Sequence, residues 1–240
     1  MSRRPTVFLD DGGVMNENAV RGSQWRRLIG EYLAPRLGGE PAGWAAANVE
    51  VMERQMEGFA AVSVTDDFNA FMRHQDESWL REMCELVGVA APSDFEERLD
   101  LARQTAAYVI PRVRSAFPEV AEAVRRLHAE GYVLNTASGE VSTDLDAYLL
   151  GMGVRDCFDR LYGPDLINTA KNGALYYQRL LADAGVTPSQ AVFVDDSPRP
   201  AAWAREAGAR VVLVSRNGEA PPEFAVIRSL AELPAALESI

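Results

Sequence analysis

Short apolar segments alternate with helical segments from Pro111 to the end of the chain, and this alternation strongly limits the fold. The apolar segments cover residues 132–138, 158–166, 191–197 and 209–215. The helical segments between them end at glycine, as at Gly131 and Gly185. Strands that alternate with helices predict a parallel sheet covered by helices on both of its faces.

The N-terminal part of the chain has a different pattern. Residues 6–9 form one more short apolar segment, and apolar side chains then recur at helical spacing from about residue 19 to 108. Within this stretch, residues 60–65 are a weak strand candidate, and Ser93, followed by Glu96, has the spacing of a helix N-cap. The predicted fold class is α/β, with a doubly wound parallel-sheet (Rossmann-like) core and an inserted helical domain. We place the core at residues 1–17 and 110–240 and the insertion at 18–109.

Polar side chains follow three of the predicted strands at the point where each strand ends. They are Asp10, Asp11, Thr136, Ser138, Asp195 and Asp196. The carboxyl ends of parallel strands meet at one edge of a sheet, where such folds bind their ligands. Several carboxylates that lie together repel one another unless a cation binds between them, and Mg²⁺ prefers oxygen ligands. The pattern therefore predicts a Mg²⁺ site at this edge.

The composition limits the partners that we expect. The formal net charge of −11 argues against a nucleic-acid partner, because binding phosphates needs clustered basic residues. No apolar run is long enough to span a bilayer and no signal peptide is seen, so we expect a cytoplasmic protein without a membrane partner. We expect a monomer or a homodimer. Lys171 is the only lysine among 24 basic residues, which singles it out as a candidate functional residue.

Four motifs in order resemble those of the haloacid dehalogenase-like (HAD) hydrolases. They are FLDDGGVM, LNTAS, Lys171 within INTAKNG, and VFVDDS. The helical insertion between the first two motifs is similar to that of the helical-cap subgroup, which includes β-phosphoglucomutase and phosphoglycolate phosphatase. This resemblance implies a Mg²⁺-dependent phosphatase that acts on a small phosphorylated metabolite, with a cap domain that closes over the site.

The resemblance also implies roles for individual residues. Asp10 would be the nucleophile that forms an aspartyl-phosphate, and it would bind Mg²⁺ together with the Gly12 carbonyl and Asp196. Thr136 and the Ala137 backbone N–H would hold the phosphoryl group, and Lys171 would neutralise its charge. Asp195 would lie behind the metal ligands or pair with Lys171. Asp11 and Ser138 are expected to make loop hydrogen bonds.

Position 12 departs from the family pattern, because the phosphatases carry there an aspartate that protonates the leaving group. Glycine cannot donate a proton, and such catalysis contributes about 10²–10⁴-fold. Gly12 could instead widen the pocket or adopt a positive φ. Three interpretations stay open. The chain is a phosphatase whose acid is dispensable or comes from Glu17, Asp11 or the cap. It is another hydrolase, such as a dehalogenase. Or it binds a phosphorylated ligand without turnover. The phosphonate-cleaving branch of the family is excluded, because it needs a lysine in the cap and residues 18–109 contain none.

Overall fold

The computed structural model describes residues 4–63, 67–219 and 221–240. The chain forms two units: residues up to Asn18 together with Ser115–Ile240, and Ala19–Arg114. The boundaries expected from the sequence, after residues 17 and 109, both precede these divisions.

In the residues that the structure describes, the regular structure of the second unit is helical. Its helices are α1 (Asn18–Leu37), α2 (Pro41–Ala61), α3 (Phe68–Val87) and α4 (Phe95–Val109). The apolar side chains that recur at helical spacing form its interior: Leu28, Ile29, Leu33, Trp44, Val51, Leu80, Met83 and Leu99 are almost completely buried. One buried polar pair accompanies them, since the Trp79 indole N–H donates to Asn48 Oδ1 at 3.0 Å.

Two local expectations within this unit need correction or qualification. The N-cap of α4 is Asp94 rather than Ser93, because the Asp94 carboxylate accepts from the backbone N–H groups of Glu96 and Glu97. The weak strand candidate at 60–65 begins inside α2, which continues to Ala61, and its residues 64 and 65 lie outside the described residues.

The first unit contains one parallel sheet, as the alternation of segments predicts. Within the described residues its strands are β1 (Thr6–Leu9), β2 (Val133–Ala137), β3 (Arg160–Tyr162), β4 (Ala191–Asp195), β5 (Arg210–Val214) and β6 (Ala225–Ile227). Their spatial order is β3-β2-β1-β4-β5-β6, so β1 lies between β2 and β4. The sequence pattern predicts the first five strands, but not β6.

Helices pack on both faces of this sheet because its side chains alternate between two apolar clusters. Val7 and Leu9 face one cluster, and Phe8 faces the other, where its ring stacks on Phe193 at 4.7 Å. The first cluster includes residues of α5 (Val120–Ala129), α6 (Ser142–Met152) and α9 (Leu233–Ser239), and the second includes residues of α7 (Ala174–Ala184) and α8 (Pro198–Glu206). This is the expected doubly wound α/β fold, and it brings the ends of β1, β2 and β4 to one edge.

Candidate active site

Three carboxylates meet where β1 and β4 end. Leu9 pairs with Val194 in the sheet, and the Asp10 N–H donates to the Val194 carbonyl at 2.9 Å, so Asp10 and Asp195 leave neighbouring strands side by side. Asp196 follows directly. One carboxylate oxygen from each of the three residues lies within 4.8 Å of the others.

Lys171 joins two of these carboxylates. Its Nζ lies 3.0 Å from Asp10 Oδ1 and 2.8 Å from Asp195 Oδ2, and the lysine side chain is only 8% exposed. The other oxygen of Asp195, Oδ1, accepts the backbone N–H of Ser197 at 2.9 Å. Burial alone would lower the pKa of Lys171, but the two neighbouring carboxylates outweigh it and raise the pKa well above its ordinary value. The two carboxylates therefore favour the charged form of Lys171.

The pKa values of two of the carboxylates are raised. Burial, with a further contribution from Asp195, raises the pKa of Asp10 to about 7, although Lys171 opposes the shift. The pKa of Asp196 is also raised, first by its partial loss of hydration and then by Asp195. Loss of hydration, together with the nearby charge of Asp195, thus disfavours the ionised form of both groups.

Gly13 lets Asp196 approach the loop that follows β1. A Cβ atom at Gly13 would lie 1.8 Å from Asp196 Oδ2 and 2.3 Å from its Cγ, so the Asp196 side chain could not keep its position. Gly13 also has a φ of 74°, in the left-handed region that favours glycine. Gly13, and not Gly12, therefore has the positive φ considered for position 12. Gly12 forms an isolated bridge with Asn16.

The loop between β3 and α7 carries Lys171, and two charged side chains hold it. The Asp165 carboxylate accepts from the Ser142 backbone N–H at 2.8 Å, at the start of α6. Arg179 of α7 donates to the Asn168 carbonyl at 3.0 Å and to Thr169 Oγ1. Asn168 has a φ of 47°, which is uncommon for a residue other than glycine. These contacts attach the loop that carries Lys171 to α6 and α7.

The end of β2 supplies the residues expected to hold a phosphoryl group. Thr136 is fully buried, and its Oγ1 donates to the Tyr162 carbonyl at 3.2 Å. A threonine hydroxyl has one proton, so Thr136 must rotate away from that carbonyl to donate to a ligand. Ala137 is the last residue of β2. Ser138 Oγ accepts the Glu140 backbone N–H at 3.1 Å, a loop hydrogen bond of the kind expected.

Asp11 and Glu17 are the two residues that the sequence offers in place of the missing acid, and one is buried in a hydrogen bond while the other is exposed. Asp11 is fully buried, and its Oδ1 accepts from Asn16 Nδ2 at 2.7 Å. Ser115 in turn donates to Asn16 Oδ1 at 2.7 Å. Glu17 is exposed, and its backbone N–H binds the Ser115 carbonyl. Sequence reasoning did not find Asn16 and Ser115, because no motif connects residues so far apart in the chain.

The chemistry of this edge fits a hard divalent cation. All the donors that converge there are oxygens, and three carboxylates face a single ammonium group, which leaves an excess of negative charge. Mg²⁺ is usually bound by one or two carboxylates and by oxygens of a substrate. Asp10 and Asp196 have the right chemistry for this role, whereas both oxygens of Asp195 already accept hydrogen bonds.

Within the described parts of the chain, no helix is both long enough and apolar enough to cross a bilayer.

Several solved structures share the fold of this chain. A solved 2-haloacid dehalogenase from Pseudomonas syringae pv. Tomato DC3000 has 20% identity and a TM-score of 0.70, with 99% of each chain covered. A HAD phosphatase from Thermococcus onnurineus has 21% identity and a TM-score of 0.60, with 97% of each chain covered. A Bacillus subtilis protein, YfnB, described as a HAD-hydrolase and bound to magnesium, has 15% identity and a TM-score of 0.64, with 98% of this chain and 99% of that chain covered.

These three likenesses show a shared fold, which a dehalogenase and a phosphatase both adopt. No curated protein matches the chain. A family model described as a haloacid dehalogenase-like hydrolase matches residues 43–208. With four ordered motifs, the fold and this match in agreement, the chain belongs to the haloacid dehalogenase-like hydrolases.

Proposed function

We propose that this hydrolase is a Mg²⁺-dependent phosphatase that transfers a phosphoryl group from a small metabolite to Asp10. The observation that carries the proposal is the cluster of Asp10, Asp195 and Asp196, in which a single buried lysine pairs with Asp10 and Asp195. A dehalogenase nucleophile attacks carbon and needs no cation, so additional carboxylates beside it would only repel an anionic substrate. For phosphoryl transfer, the same carboxylates have a purpose, because they hold a cation that offsets the charge of the phosphate.

Each residue has a defined part in the reaction. An Asp10 carboxylate oxygen attacks phosphorus, the bond from phosphorus to the leaving oxygen breaks, and an aspartyl-phosphate forms. Lys171 neutralises the charge of the transferring group, and Thr136 and the Ala137 N–H donate hydrogen bonds to its oxygens. Water then attacks phosphorus, which releases inorganic phosphate and regenerates Asp10. Mg²⁺, held by Asp10, Asp196 and the Gly12 carbonyl, would supply further charge neutralisation.

Gly12 limits the substrates that this reaction can use. Since no acid stands at position 12 and Asp11 is held in a buried hydrogen bond, we propose substrates whose leaving groups need little protonation, such as acyl phosphates. The residues named above bind only the phosphoryl group. We therefore assign the selection of the rest of the substrate to the helical unit, acting as the cap domain, and we propose that the protein works in the cytoplasm on a small phosphorylated metabolite.

A dehalogenase is the second candidate, and Gly12 is the observation that favours it. Displacement of a halide ion by Asp10 needs no proton donor, so the loss of the usual acid would cost such an enzyme nothing. The same departure is compatible with a protein that binds a phosphorylated ligand without turning it over.

Steady-state hydrolysis distinguishes these candidates. Wild type should hydrolyse acetyl phosphate and p-nitrophenyl phosphate only with Mg²⁺, and Asp10→Asn should not. Chloride release from 2-chloropropionate without Mg²⁺ would indicate the dehalogenase instead. Binding of phosphate with Mg²⁺, but no turnover of any substrate, would indicate a binding protein.

Restoring an acid at position 12 tests the limit on leaving groups. Gly12→Asp should raise the hydrolysis of alkyl phosphates by about 10²–10⁴-fold, because the new carboxyl group can protonate a poor leaving group. The rate with acetyl phosphate, whose leaving group needs no proton, should change little and serves as the internal control. Equal changes with both substrates would contradict the explanation.

A further inference from the structure

Three buried polar side chains form a hydrogen-bond chain beside the nucleophile. Asp11, Asn16 and Ser115 are 0%, 1% and 3% exposed. Ser115 Oγ donates to Asn16 Oδ1 at 2.7 Å, and Asn16 Nδ2 donates to Asp11 Oδ1 at 2.7 Å. A carboxylate only accepts hydrogen bonds, so the amide nitrogen of Asn16 must face Asp11 and its oxygen must face Ser115. The chemistry of the three side chains therefore fixes the direction of both hydrogen bonds.

Backbone hydrogen bonds also connect Asn16 to the turn that follows Asp10. The Asp11 carbonyl accepts from the N–H groups of Met15 and Asn16, both at 2.9 Å, and the Gly13 N–H donates to the Asn16 carbonyl at 2.8 Å. Asn16 also forms bridges with Gly12 on one side and Ala116 on the other. Gly12, whose carbonyl is a proposed metal ligand, thus lies inside a turn that Asn16 holds from its side chain and its backbone.

Ser115 connects this turn to the segment in which the chain returns to the core unit. The Glu17 N–H donates to the Ser115 carbonyl at 2.8 Å, and the Phe117 N–H donates to the Met15 carbonyl at 3.0 Å. Residues 15–17 and 115–117 therefore run together as a short ribbon. The buried side-chain chain extends from this ribbon to the residue next to Asp10.

We propose that Asn16 is a positioning residue, which holds the Asp10–Gly13 turn in its reactive conformation through Asp11 and Ser115. In this arrangement Asp11 is an anchor for the turn and is not the substitute proton donor. The inference rests on the proposed function, because the turn presents both the nucleophile and a ligand for Mg²⁺. A misplacement of about 1 Å at such a site can lower a rate about 100-fold, so a tightly held turn has a direct catalytic consequence.

An exchange of the two functional groups tests this role. Asn16→Asp places two acceptors face to face at a buried position, so the link to position 11 is lost. We expect kcat for acetyl phosphate to fall about 100-fold and the Mg²⁺ concentration for half-maximal activity to rise. Asp11→Asn keeps an acceptor oxygen towards Asn16 and should retain most activity. In the double variant Asp11→Asn/Asn16→Asp, the new amide at position 11 can donate to the new carboxylate at position 16, which should restore most of kcat.

The melting temperature with and without Mg²⁺ is measured for every variant, so that folding and positioning are separated. We expect the Mg²⁺-induced increase to shrink in Asn16→Asp and to return in the double variant. If Asn16→Asp does not fold, Ser115→Ala provides a milder test, because it removes one donor from the chain; its Mg²⁺-induced increase should then be smaller than that of wild type.

Two results would overturn the inference. One is a folded Asn16→Asp or Ser115→Ala protein with the kcat and Mg²⁺ response of wild type. The other is Asp11→Asn with an unchanged Mg²⁺ response but no turnover of alkyl phosphates that wild type hydrolyses, which would make Asp11 the acid. If wild type itself hydrolyses no phosphorylated substrate, the proposed function fails. The Mg²⁺-induced increase in melting temperature of the same variants still decides the positioning role.

Discussion

Replacing Lys171 by methionine is expected to abolish most phosphoryl transfer and to destabilise the core unit. Lys171 lies within 3.0 Å of Asp10 and 2.8 Å of Asp195, and no other lysine exists in the chain. Removing one partner of a buried ion pair typically costs about 3–5 kcal/mol, because it leaves an uncompensated charge. Losing a group that stabilises charge in the transition state costs about 10²–10³-fold in kcat.

Two further variants separate these effects. Lys171→Met/Asp195→Asn also removes one of the two carboxylates that lose their partner, so the free energy of unfolding in urea should partly recover while turnover stays low. Lys171→Arg retains the positive charge and should be more stable than Lys171→Met. A Lys171→Met protein that unfolds at the wild-type urea concentration would show that the ion pairs contribute no net stability, and wild-type turnover would exclude Lys171 from the reaction.

Replacing Gly13 by alanine should remove the response to Mg²⁺. The new Cβ would occupy the space of the Asp196 carboxylate, 1.8 Å from Oδ2, so the whole side chain of this proposed metal ligand must move. Wild type should be stabilised by about 2.7 kcal/mol when Mg²⁺ is present at 100 times its Kd. The variant should lose most of this gain, as measured by urea unfolding with and without Mg²⁺.

The positive φ of Gly13 requires a matched control, because alanine is strained there whatever surrounds it. Gly131 supplies the control, since it has a φ of 84° and a Cβ atom there would meet nothing within 4 Å. Gly131→Ala should show the backbone cost of about 1–2 kcal/mol and an unchanged gain from Mg²⁺. A Gly13→Ala protein that keeps the full gain from Mg²⁺ would mean that Asp196 does not hold the metal, and equal losses in both variants would mean that the backbone change causes the loss.

The sequence predicts the sheet and the carboxylate edge because both depend on local pattern. An apolar strand that ends in acids is visible at Asp10 and at Asp195, and the parallel arrangement of strands then brings these residues together. Strand β6 is different. It has only three residues, as β3 has, but it directly follows the loop-like stretch 217–224, so no local signal separates it from that loop.

Other features depend on contacts that sequence spacing does not encode. Ser93 and Asp94 both have side chains that can cap a helix, and only the backbone conformation selects Asp94. Asn16 and Ser115 are 99 residues apart in the sequence, with the whole helical unit between them, and they come into contact only in the folded protein. The closeness of Gly13 to Asp196 is likewise a matter of packing between two loops. The gathering of the carboxylates at one edge could therefore be predicted, whereas the side-chain contacts around them could not.

The most direct test of the central claim is to identify the group that carries phosphate during turnover. Wild type is mixed with acetyl phosphate and Mg²⁺, quenched in acid within the first turnover and digested for mass spectrometry. We expect one phosphoryl group on Asp10, and none on Asp10→Asn treated in the same way. Phosphate release by wild type with an unmodified Asp10, together with undiminished turnover by Asp10→Asn, would contradict the account.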